Sequence, residues 1–199
     1  MSTTTFKQPL PSSSTLSPLK PSKHHSMDLI DTISTCTTIF SNILRYTSSL
    51  PKRTPSLFDM NVTLKQTEET DSESGDSDSE NQEMKLEEFI IRYVNYLKFD
   101  HHLLVLAMMI VDKALKTGFI LTERNIQKFV FVVFVIVQKF FSDVSFSNKD
   151  YAKVGLLQCN ELLMLELSLM DMLQFNVFIN DVQYEEYNTK FEKFGKRNL

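Results

Sequence analysis

The chain is poor in the residues that specialised chemistry needs. Two cysteines occur in 199 residues, Cys36 and Cys159, far apart and without a CxxC spacing. This argues against a disulfide framework and a structural zinc, and for a reducing compartment. Only four glycines are present, and they form no glycine-rich phosphate loop. No serine or cysteine stands in a recognisable nucleophile frame. The histidine pairs His24–His25 and His101–His102 have no acidic or cysteine ligand at metal spacing. A net charge of −4 supplies no basic surface for nucleic acid. No metal, cofactor, small-molecule ligand or catalytic residue is therefore expected. No positively charged, apolar leader opens the chain, so cytoplasm or nucleus is the expected location.

A membrane-spanning run is also missing. The apolar stretch Phe129 to Val137, which no other segment exceeds, is nine residues and is broken by Gln138 and Lys139. A spanning helix needs roughly 20. The stretch shows no period-two alternation and no turn signal before Ser142, which favours a helix buried nearly all round.

What is present is helical periodicity. Residues 1–26 are dominated by Ser, Thr, Pro and Lys and read as a disordered arm. Within 27–50, Leu29, Ile30, Ile33, Ile39, Phe40, Ile43 and Leu44 mark an amphipathic helix that must dock on something. Residues 51–83 read as a linker containing "ETDSESGDSDSENQE". That acidic stretch is a solvated connection or a phosphoacceptor cluster around Ser77. Ser17, in "SPLK", has the form preferred by proline-directed kinases, and a chance match in a Ser/Pro-rich arm reads the same way.

From 84 to 180 the pattern predicts an all-α domain of five helices with the third central, and 181–199 a C-terminal helix and tail. Leu86, Phe89, Ile90, Tyr93 and Leu97 form the stripe of helix one. Asp100 is placed to cap helix two, which stops at Gly118. Thr122 is placed to cap helix three, with Glu123 in its first turn. Ser147 and Asp150 have the spacing of a capping box.

The phrase "KFFSDVSFSNKDYAKVG" (139–155) resembles the K-F-x-D-D-x-x-x-x-N-x-x-Y-A-K-V-G signature of single-box P/U-type cyclins, relatives of the yeast phosphate-response cyclin. "LELSLMDMLQFNVFI" is similar to that family's L-E-x-x-x-L-x-x-L-x-F-x-L. The resemblance covers about 84–180 and implies a cyclin box flanked by an N-terminal and a C-terminal helix. It implies a regulatory subunit that binds and activates a cyclin-dependent protein kinase. The alternative is a cyclin-fold scaffold or transcription-related adaptor without kinase activation. By the resemblance, Lys139 and Glu166 bind the kinase. By helical spacing, Ile136 and Phe140 neighbour Lys139 and Met170 is four after Glu166, so each charge is expected to be ringed by apolar contacts. Arg92 and Asp112 match a structural ion pair, expected to be buried between helices one and two. Lys113 stands where the family has arginine, Leu156 where it has the second glycine of V-G-G, and Gln158 where a serine caps helix five. Helix one lacks the M-R-A-I-L phrase of cell-cycle cyclins, which gives no support for an Arg-x-Leu docking groove.

Overall fold

The computed structural model describes residues 27–51, 55–59 and 85–198. Ser17 and Ser77, with the arm and the acidic stretch around them, lie outside the described residues. The described residues form seven α-helices and no strand. These are α1 (Leu29–Thr47), α2 (Leu86–Leu97), α3 (His101–Lys116), α4 (Ile126–Phe141), α5 (Asn148–Val154), α6 (Cys159–Met172) and α7 (Asp181–Asn198). Helices one to five of the predicted box are α2 to α6. Among these residues no helix is long and apolar enough to cross a membrane.

α4 is the centre. Every residue from Phe129 to Gln138 is at most 2% exposed. Full burial of such side chains stabilises by about 1.5–3 kcal/mol each, which makes this helix, together with the equally buried α3, a main apolar contribution to the fold. α2, α3 and α6 pack around it, and the end of α5 reaches Phe131. The segment read as a linker also contributes. A single 3₁₀ turn, Leu57–Asp59, inserts Phe58 edge-on against Phe119 and Phe129, with ring centroids 5.7 and 5.5 Å apart.

Helix ends follow the predicted capping chemistry in two places. Asp100 Oδ1 accepts from the Leu103 N–H at 2.9 Å. Ser147 and Asp150 form the reciprocal capping box of α5. Gly118, with φ at 92°, follows the end of α3. Thr122 does not cap α4, which begins at Ile126. The Thr122 N–H donates to Asn125 Oδ1 at 2.8 Å, and Asn125 Nδ2 donates to the Ile120 carbonyl at 3.1 Å. Asn125, 1% exposed, thus pins the approach to α4, and Glu123 falls in a turn before the helix. Gln158 gives α6 no side-chain cap.

α1 packs across α2 and α3, and α7 lies on α1 and α3. The buried threonines of α1 return their hydroxyls to the preceding turn, Thr32 to the Asp28 carbonyl at 2.6 Å and Thr35 to that of Asp31 at 2.7 Å. Cys36, 1% exposed, faces the same interior, and burial pushes its thiol up to about 12. His101 ties the three helices together. Its Nδ1 lies 2.7 Å from Thr32 Oγ1 on α1, and its Nε2 lies 2.9 Å from Asn188 Oδ1 on α7.

Candidate functional site

α4 is half-buried at Gln127 and Lys128 in its first turn and leaves the interior again in its last, where Gln138 is buried, Lys139 half-buried and Phe140 55% exposed. Gln138 Nε2 holds the following loop through the Val144 carbonyl at 2.6 Å and Ser142 Oγ at 3.1 Å. The Lys139 ammonium meets both oxygens of Glu166 on α6, at 2.7 and 2.8 Å. It also donates to Asn148 Oδ1, at the start of α5, at 2.8 Å. Its Nζ stands 5.4 Å from the ring centroid of Tyr151. Tyr151 Oη accepts from the Phe146 N–H at 3.2 Å, and burial raises the phenol above its usual pKa, with the Glu166 carboxylate adding to the rise. Cys159 is exposed at the first turn of α6, its Sγ 4.0 Å from the Asn148 carbonyl oxygen. One ammonium therefore joins α4, α5 and α6.

Apolar side chains surround the pair. Leu163, Leu167 and Met170 fall three or four residues either side of or beside Glu166 along α6, on one stripe. Leu163, Met164 and Leu167 are 45, 55 and 49% exposed, and Met170 is half-buried. Phe140 and Met170 were legible from helical spacing, and the leucines were not. Ile136, expected beside Lys139 on the same spacing, is 2% exposed and unavailable to any partner. Ile136 sits one turn back along α4, where the helix is still enclosed on every side.

The expected Arg92–Asp112 pair does not form. Arg92 is exposed, and its Nη2 approaches only the Val154 carbonyl, at 3.5 Å. Asp112 is instead hydrogen-bonded by Tyr187 of α7, with Lys116 nearby. The reason is packing: α2 lies against α1 and α4, whereas α3 lies against α4, α1 and α7, so their charged faces do not meet. Burial holds the Asp112 carboxyl above its ordinary range, partly offset by the Tyr187 hydrogen bond and by Lys116. A second α4–α6 ion pair, unseen in the sequence, joins Lys128 to Glu161 at 2.9 Å.

Among the described residues, no group of three or more His, Cys, Asp or Glu is placed to hold a metal ion. A groove of about 700 Å³ opens between α1, α7 and the α3–α4 connection, with Ile43, Tyr46, Leu115 and Phe119 in its wall. None of the Lys139 group lines it.

A bundle built round a buried third helix, with a charge pair displayed between the third and fifth, defines a class that comparison identifies. The family model described as Cyclin matches residues 10–177. The chain is 26% identical over 113 residues to Cyclin-U2-2 of Arabidopsis thaliana, covering 56% of this chain and 49% of that protein. It is 29% identical over 119 residues to the PHO85 cyclin-like protein psl1 of Schizosaccharomyces pombe, covering 58% and 49%. It is 32% identical over 79 residues to PHO85 cyclin-7 of Saccharomyces cerevisiae, covering 40% and 28%. The chain spans about half the length, or less, of these curated relatives. It belongs to the cyclin family, and its likeness falls among the P- and U-type members.

Proposed function

We propose that this cyclin is a regulatory subunit that seats a cyclin-dependent protein kinase on the face around Lys139 and Glu166. The observation that carries the reading is a half-buried ion pair with exposed Leu163 and Leu167 on the same stripe of α6 as Glu166, and exposed Phe140 next to Lys139. An isolated surface ion pair contributes about 0–1 kcal/mol, so stability alone is a poor reason for this arrangement. Apolar side chains around a desolvated charge pair are the make-up of an interface centre. One relative is named a PHO85 cyclin and another a PHO85 cyclin-like protein, which favours a kinase of that type.

The physical route to activation needs no catalytic group on this chain. A protein kinase works when the strand lysine and the C-helix glutamate are paired. A subunit that binds the inward C-helix position selectively shifts the population toward it. Purified PHO85 and the full-length chain provide the test. Lys139→Ala and Glu166→Ala should each weaken binding by about tenfold or more, with the circular-dichroism spectrum unchanged. Normal binding by both variants, or unfolding of both, overturns the reading.

A further inference from the structure

The charge pair has a third member. An ammonium carries three N–H bonds. Lys139 aims them at Glu166 Oε1, Glu166 Oε2 and Asn148 Oδ1, at 2.7, 2.8 and 2.8 Å. While that arrangement holds, Lys139 has no donor left for a partner. The orientation of the Asn148 amide is dictated by chemistry, because an oxygen and not an NH₂ must face an ammonium. Nδ2 is therefore turned away from Lys139. Among the described residues it has no hydrogen-bond partner, and Asn148 is exposed. The residue is firmly placed all the same. It is the first residue of α5, directly after the capping box in which Ser147 and Asp150 exchange bonds of 3.3 Å.

We propose that Asn148 is the positioning residue of the pair and the outward hydrogen-bond donor of the docking face. Its Oδ1 holds Lys139 over Glu166, and its Nδ2 donates to a backbone carbonyl of the docked kinase. The second half rests on the kinase-docking reading, whereas the first is a property of the free chain. Glu166 keeps acceptor capacity beyond its two contacts with Lys139, so the face offers a peptide segment one donor and one acceptor side by side.

Asn148→Ala removes both roles, while Asn148→Asp keeps an oxygen for Lys139 and removes the donor. In the free, ¹⁵N-lysine-labelled chain, the slowed amino resonance of Lys139, assigned by its loss in Lys139→Ala, should vanish in Asn148→Ala and persist in Asn148→Asp. Both variants should bind PHO85 about tenfold more weakly than the unaltered chain. An Asn148→Ala chain that keeps the Lys139 resonance overturns the positioning role. An Asn148→Asp chain that binds as the unaltered chain does overturns the donor role. If the unaltered chain fails to bind PHO85, the kinase reading and the donor role fall together, and the amino resonance still decides the positioning role. Unfolding of both variants would overturn the proposal by making Asn148 part of the fold.

Discussion

Gly155→Ala should destabilise this cyclin, although alanine normally favours the folded chain. Gly155 has φ at −77°, so its backbone accepts any residue. Elsewhere such a change adds about 0.4–1 kcal/mol by restricting the unfolded state. Here the obstacle is space. A Cβ at this position would lie 2.6 Å from Cζ and 2.8 Å from Cδ1 of Phe131, with Cε1 nearer still. Ordinary carbon contacts are about 3.5–4.0 Å, so the ring must retreat by roughly 1 Å. Phe131 is 1% exposed, and its ring centroid is 4.6 Å from that of Tyr93 on α2, so retreat displaces a second helix. Overpacking of this kind costs about 1–3 kcal/mol, which leaves a net loss of about 1–2 kcal/mol after the entropic gain. For a domain of this size, that lowers the melting temperature by about 3–8 °C in calorimetry. Phe131→Leu should make room, so the double variant should lose less than the sum of the singles. A Gly155→Ala chain that melts at or above the unaltered temperature refutes the reasoning.

Three further outcomes are expected. Leu156 is 78% exposed with φ at 54°, so Leu156→Gly should relieve left-handed strain and stabilise by about 1 kcal/mol in urea titration; a loss would count against strain there. Because burial raises the Asp112 carboxyl above 3.8, the folded chain binds its proton more tightly than the unfolded one. The stability this supplies is complete below about 3.8 and fades as pH rises through the raised value, so Asp112→Asn should gain on the unaltered chain at pH 7 and lose that gain in acid. A difference constant across pH would contradict this. Arg92→Ala should change stability by no more than about 0.5 kcal/mol, and a cycle with Asp112→Asn should show no coupling, since the two side chains do not pair.

Periodicity made the helices legible, because an apolar stripe has one physical solution. The nine-residue run from Phe129 to Val137 could be read as an enclosed helix on length and flanks alone. The capping oxygens of Asp100 and Ser147 were legible because their partners lie three residues away. What failed was whatever depends on how helices rotate against each other. Arg92 and Asp112 stand on helices whose charged faces diverge, and the partner of Asp112, Tyr187, is 75 residues further along the chain. Phe58 sits in a three-residue turn, too short to carry a period. Ile136 follows the spacing rule for a neighbour of Lys139, but spacing does not tell where along α4 the enclosure ends. Lys139 and Glu166, 27 residues apart, meet across α4 and α6, and Asn148, which completes the group, carries no signal in the sequence beyond its place in the 139–155 phrase.

The unequal environments of the two thiols have a practical consequence. Maleimide and disulfide reagents attack thiolates within reach of solvent. Cys36 is 1% exposed with its pKa pushed up to about 12, whereas Cys159 is exposed beside the Asn148 carbonyl. The unaltered sequence is thus ready for labelling at one position, next to the face assigned to the kinase. A fluorophore on Cys159 would change its anisotropy as a partner arrives, and would itself block a partner that needs to approach α5 closely.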